Sequence, residues 1–141
     1  MIYTKLTKEA MNIAYNAHHK QKDKGGFPYI NHPFHIAEQM KDEYSTCVAL
    51  LHDVVEDSNI TLNELSSIFP PSIIQAVSIL TRKEGMLYSD YINNIKNNKL
   101  ATIVKLADLE HNMDETRCVD KPLNDILLEK YLMAYAVLKG E

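Results

Sequence analysis

The stretch Leu51-His52-Asp53-Val54-Val55-Glu56-Asp57 sets one imidazole and three carboxylates at positions i, i+1, i+4 and i+5 of the most apolar segment in the chain. On a helix, residues four apart stack, so His52 is expected over Glu56 and Asp53 over Asp57, all on one face. Carboxylates near a helix C-terminus also face the negative end of its macrodipole, which costs roughly several tenths of a kcal/mol per charge. A bound divalent cation removes that difficulty, because imidazole nitrogen and carboxylate oxygen together suit Mn, Fe, Zn or Ni. The competing reading is a solvated, charged helix end.

One helix does not surround a metal ion, so further ligands are expected from elsewhere. His32 follows Tyr29-Ile30-Asn31 and precedes Pro33, where a lone histidine is commonly only a cap neighbour. His18, His19 and His35 are weaker rivals. Near the other end, Val104-Lys105-Leu106-Ala107-Asp108 puts one aspartate on an otherwise apolar face, with His111 and Asn112 one turn later. A buried aspartate requires a partner. His32, His52, Asp53 and Asp108 together supply two neutral imidazoles and two carboxylates, whose charge offsets a divalent ion and leaves coordination positions for water and a phosphate.

The elements that must position these residues read as helices throughout. Four glycines and five prolines in 141 residues are too few for a barrel or sandwich with its frequent turns. Leu6, Ala10, Ile13, Ala14 and Ala17 predict a first helix from a Thr4 or Thr7 cap to about Gln21. A second is expected from Asn31-His32-Pro33, with Asn31 as cap, to about Met40. Ser45 is taken as the cap of a third and central helix running through Asp57. Thr61-Leu62-Asn63-Glu64 is a capping box for a fourth, and Phe69-Pro70-Pro71-Ser72 stops it and starts a fifth. A sixth carries Tyr88, Tyr91, Ile92 and Ile95, and a seventh spans Leu100 to Asn112. The last, about Pro122 to Lys139, lines up Leu123, Ile126, Leu127, Tyr131, Ala134 and Leu138. The expectation is one all-α domain, residues 1–141, of about eight helices with no repeat.

Composition narrows the partners. A net charge of −4, with Arg82 and Arg117 as the only arginines, lacks the basic footprint of a nucleic-acid binder. No apolar run spans a membrane, and Met1 to Glu9 has no signal-peptide core. Cys47 and Cys118 lie in no metal or redox spacing and are expected to be buried, reduced thiols of a cytoplasmic protein. The exposed tyrosines and the last helix offer a homodimer contact, with core packing as the commoner explanation.

These residues resemble a family. His32, His52-Asp53 and Asp108 form the H…HD…D pattern of HD-domain metal-dependent phosphohydrolases, an all-helical bundle. The flanking runs "GGFPYINHP", "ALLHDVVEDSNIT" and "VKLADLEHNMD" are similar to the hydrolase domain of Rel/Spo alarmone enzymes, over about residues 5 to 117. The resemblance implies metal ligation by His32, His52, Asp53 and Asp108, usually around Mn, and a catalytic acid pair at Glu56 and Asp57. It also implies substrate contacts at Lys24 and Asn112. The activity it implies is removal of the 3′-pyrophosphate of ppGpp, giving GDP and pyrophosphate. Two departures stand out. The family's Arg-Lys-Ser loop, whose arginine stacks on guanine, reads Asp23-Lys24-Gly25 here, and "KLADRLHNMRT" becomes "KLADLEHNMDE" with the loss of two arginines. At this length a synthetase domain is not expected. Alternatives are an HD phosphohydrolase acting on another nucleotide, such as a nucleoside phosphate or NADPH, and a module that senses a nucleotide without cutting it.

Overall fold

The computed structural model describes residues 1–119 and 122–140, which form nine α-helices, one 3₁₀ turn and no strand. Helix α1 (Lys5–His18) opens on a Thr4–Thr7 capping box and ends three residues before the expected Gln21. The last carbonyls explain the early stop. His19 Nδ1 sits 3.2 Å from both the Tyr15 and Asn16 oxygens, and Gln21 Nε2 donates to Ala17 O, so side chains take the acceptors a further turn would have used.

Helix α2 (Asn31–Glu38) begins one residue before the expected first turn, with Ile30 in the cap position and no side-chain cap. Asn31 is therefore not the cap. The Pro28 and Tyr29 carbonyls already accept from the Asn31 and His32 N–H groups. Helix α3 (Glu43–Leu51) is capped by Asp42 rather than Ser45; one Asp42 oxygen accepts from both the Ser45 N–H (2.8 Å) and the Ser45 hydroxyl (2.6 Å).

The third helix does not run unbroken to Asp57. His52 Nδ1 lies 2.6 Å from Ala49 O, the carbonyl that the Asp53 N–H would use in a continuous helix. Asp53 relaxes to φ −108°, ψ −1°, and a separate turn, α4 (Val54–Asp57), follows. That split makes nine helices where eight were expected. Helix α5 (Leu62–Ser66) carries the Thr61–Glu64 capping box, and α6 (Pro71–Leu80) starts on Pro71, with Pro70 in the cap position, inside the expected run. Helix α7 (Tyr88–Lys96) leads to α8 (Lys99–Asn112), which Asn98 caps through the Ala101 N–H. A 3₁₀ turn (Glu115–Arg117) precedes α9 (Asp125–Lys139), capped by Asn124 and starting three residues later than expected.

Helix α3 is the axle of the bundle, packed against α1, α2, α6 and α8. Cys47, Val48, Ala49, Leu50 and Leu51 are fully buried. Removing one such leucine side chain costs about 2–5 kcal/mol, so the position of the His52–Asp53 junction is fixed by the packing before it. Burial pushes the Cys47 thiol up to about 12, while Cys118 is only half-buried; both are free. The stripe on α9 is narrower than its sequence pattern. Ala134 and Leu138 are buried, but Ile126 is 80% exposed and Leu132 and Met133 also face solvent. Among the described residues, no helix is long and apolar enough to cross a membrane.

Candidate metal centre and substrate cleft

Three elements deliver the expected ligands to one point. His32 comes from the first turn of α2, His52 and Asp53 from the α3–α4 junction, and Asp108 from the last turns of α8. Ligand atoms of His32, His52 and Asp53 all lie within 4.8 Å of one another. Asp108 Oδ1 is 2.8 Å from His32 Nε2 and 3.5 Å from His52 Nε2, and Asp53 Oδ2 is 3.0 Å from His52 Nε2. His32, His52 and Asp108 are all buried.

The donor set fits a cation, and His52 supplies the test. A carbonyl only accepts, so the 2.6 Å contact with Ala49 O puts the ring proton on Nδ1. In the neutral ring the Nε2 lone pair is then buried and, among the described residues, without a hydrogen-bond partner, although two carboxylates stand within 3.5 Å. A buried orphan acceptor facing anions is unfavourable unless positive charge lies between them. Without a cation, the carboxylates draw a proton onto that nitrogen in its place. Burial opposes the His52 imidazolium, yet Asp53 and Asp108 hold its pKa well above the ordinary value. Burial would likewise raise Asp53, but the His52 charge and hydrogen bonding bring it down to about 2. Asp108 is held well below the usual carboxylate range against its burial, chiefly by Lys105 and then by His32 and His52.

Neighbouring groups to which the sequence assigned no role hold this centre. Tyr29 O–H donates to Asp53 Oδ2, and burial followed by the Asp53 charge keeps the phenol protonated. Lys105 Nζ donates to Asp108 Oδ2 at 2.8 Å, one turn earlier on α8. That pair was readable from its i, i+3 spacing. His111 Nδ1 lies 2.7 Å from His32 Nδ1; burial and then the charges of Arg117, His32 and His35 push the His111 pKa down to about 3. Of the rival histidines, His18 is fully buried outside the cluster, with Nδ1 2.8 Å from Gln21 Oε1, and His19 caps α1 at the surface. His35 is exposed and stacks on His111.

Glu56 and Asp57 are exposed beside the centre and line an open groove with Arg82 to Met86. The Glu56 carboxylate accepts from the Arg82 N–H. Partial burial, then for Glu56 and Asp57 alike the nearby Asp53 charge, raises both pKa values. On the other side, a cleft of about 260 Å³ runs from His32 and Tyr29 past Lys24 and Asn112 to Leu123, Leu127 and Tyr131. Asn112 is partly committed, donating to Asp108 Oδ1 at 3.3 Å. Asp23 does not present a free anion to this cleft. Its Oδ2 accepts from Arg117 at 3.2 Å, and its Oδ1 accepts from the Gly25 and Phe27 N–H groups. Two more cations gather nearby on the Tyr88 ring: Lys130 Nζ at 4.1 Å and the Arg82 guanidinium at 5.3 Å from its centroid.

Comparison with known proteins identifies the family and the fold. The family model described as HD domain matches residues 10–117. The GTP pyrophosphokinase rsh of Brucella suis biovar 1 (strain 1330) is 34% identical over 152 aligned positions, covering 96% of this chain and 20% of its own. The bifunctional (p)ppGpp synthase/hydrolase SpoT of Escherichia coli (strain K12) is 32% identical over 124, covering 77% of this chain and 18% of its own. The chain thus spans about a fifth of the length of these curated relatives. A solved structure described as a metazoan ortholog of SpoT that hydrolyses ppGpp shares the fold, with a TM-score of 0.78, 23% identity, and coverage of 98% of this chain and 85% of that one.

Proposed function

The chain belongs to the HD-domain family, and on that premise we propose that it is a metal-dependent phosphohydrolase whose substrate is ppGpp. The observation that carries the reading is the orphaned His52 Nε2 among carboxylates, with a raised-pKa acid pair one turn away. His32, His52, Asp53 and Asp108 would hold the ion, for which Mn²⁺ is the proposed identity. The Lewis acidity of such a cation polarises a phosphoryl oxygen and acidifies water.

The chain's own residues do the rest. The Glu56–Asp57 pair takes the proton of the attacking water, and its raised pKa values bring it closer to neutral pH, where a general base works best. Water oxygen bonds to the phosphorus attached to the 3′ oxygen, the phosphorus–O3′ bond breaks, and the 3′ oxygen leaves with a proton as the hydroxyl of GDP, releasing pyrophosphate. Arg82, Lys130 and Lys24 offset the charge of the phosphates. Leu123, Leu127 and Tyr131 supply apolar surface for a base. Two unpaired cysteines fit a reducing compartment, so the cytoplasm is proposed as the site of action.

A second reading, another phosphorylated nucleotide such as NADPH, is favoured by one observation: the loop offers the Asp23–Arg117 pair where the resembled family stacks an arginine on guanine. The test is pyrophosphate release from ppGpp by the purified protein with and without Mn²⁺, beside Asp53→Ala. Mn²⁺-dependent GDP and pyrophosphate, absent in the variant, is the expected result. Metal binding without turnover of ppGpp moves the assignment to the second reading, and binding of intact ppGpp with no turnover of either nucleotide leaves a sensing module.

A further inference from the structure

His32 has two ring nitrogens with opposite surroundings. Nε2 faces Asp108 and Asp53, at 2.8 and 4.0 Å, the nearer contact being a hydrogen bond whose proton a cation would replace, whereas Nδ1, among the described residues, meets His111 Nδ1 alone, at 2.7 Å. The His32 and His111 rings are 9° from parallel with centroids 5.0 Å apart. Rings stacked face to face come closer, as His35 and His111 do at 4.0 Å. A 5.0 Å separation with a 2.7 Å nitrogen contact describes two coplanar rings meeting nitrogen to nitrogen, the arrangement of an in-plane hydrogen bond.

We propose that His111 is a positioning residue for the metal centre: its Nδ1 accepts the His32 Nδ1–H and so holds His32 in the one tautomer that leaves Nε2 free to ligate. This rests on the metal-binding reading above. A ligating imidazole needs its other nitrogen fixed by an acceptor, a role a carboxylate or backbone carbonyl ordinarily fills. Here a second imidazole fills it, carrying its own proton on Nε2. His111 is itself held in place on one face by the His35 ring and through its carbonyl, which accepts from Arg117 at 2.9 Å. The same α8 turn carries Asp108 three residues earlier, so one helix end sets a ligand and the partner of another ligand together.

Two variants separate acceptor from packing. His111→Phe keeps a ring against His35 and removes the acceptor; His111→Asn gives up the ring but puts an amide oxygen near the place of Nδ1. Mn²⁺ affinity is read by titration calorimetry on the purified chain, with melting in EDTA as the check on folding. The expected result is a Kd about 10- to 100-fold weaker for His111→Phe and within about threefold of wild type for His111→Asn. Unchanged affinity in His111→Phe, or the reverse order of the two variants, overturns the proposal. Wild-type protein that takes up no Mn²⁺ overturns it together with the metal-binding reading.

Discussion

Asp108 is where the structure allows a single substitution to be worked through. Asp108→Asn keeps the shape of the side chain and removes its charge. Lys105 Nζ, 2.8 Å from Oδ2 and 13% exposed, is left as a nearly buried ammonium without its counter-ion. At an effective dielectric of about 20 the lost attraction is about 6 kcal/mol, part of which desolvation had already offset. Breaking a buried pair from one side costs about 3–5 kcal/mol in practice. Relief of repulsion between Asp108 and Asp53 works against that loss, but the depressed Asp108 pKa decides the sign: the folded protein favours the carboxylate. At about 2–4 °C per kcal/mol for a domain of this size, the variant should melt roughly 10 °C below wild type. The assay is thermal unfolding in EDTA, which removes stabilisation by bound metal. The folded pKa lies below the unfolded value of about 3.9, so the wild-type advantage is full above that pH and shrinks as pH falls toward the folded value. Adding Lys105→Met to Asp108→Asn should recover most of the loss. If Asp108→Asn melts within about 2 °C of wild type, or the second change recovers nothing, the reasoning is refuted.

Glu56→Gln should lower kcat by about 10²- to 10⁴-fold with Mn²⁺ affinity unchanged, since Glu56 lies beside the centre and not in it. The acid limb of kcat/KM should sit above the ordinary glutamate value of 4.5, because burial raises Glu56 and the rate falls as its carboxylate protonates; a limb at or below 4.5 contradicts the assignment. Asp42→Ala should cost about 1 kcal/mol by denaturant titration, as Asp42 caps α3, the helix at the centre of the core. Ser45 hydrogen bonds depress the Asp42 pKa, so this difference should hold above pH 3.8 and fade below it. Gly25→Ala places a Cβ 2.0 Å from the Arg117 carbonyl oxygen, so the loop must move. A loss of about 1–3 kcal/mol and a raised KM are expected, and an unaltered KM argues that the loop does not shape the cleft.

What could be read in the sequence was what short-range rules encode. The Thr61–Glu64 box and the Pro71 start needed only neighbours in the chain, and the apolar run Cys47–Leu51 identified the central helix. The aggregate of His32, His52, Asp53 and Asp108 was legible because imidazoles and carboxylates on apolar faces require partners. Three features were not. Asp42 and Ser45 lie within one turn, and only the packed chain decides which of them caps. The break at His52–Asp53 follows from one side chain competing for the Ala49 carbonyl. The Asp23–Arg117 pair joins positions 94 residues apart, so the sequence showed the charge reversal at the cleft but not the arginine that neutralises it.

The division of labour along the chain follows from where α9 sits. Every candidate ligand and both acids lie before residue 113, and the HD-domain match ends at 117, yet Leu123, Leu127 and Tyr131 come from beyond it to form the apolar wall of the cleft. On the proposed reading, the apolar part of the substrate contact is thus carried by a stretch of polypeptide separate from the candidate centre, while its polar part, Lys24 and Asn112, stays within the matched domain. A change confined to the last helix would reshape that wall and leave the four candidate ligands on α2, α3–α4 and α8 where they stand.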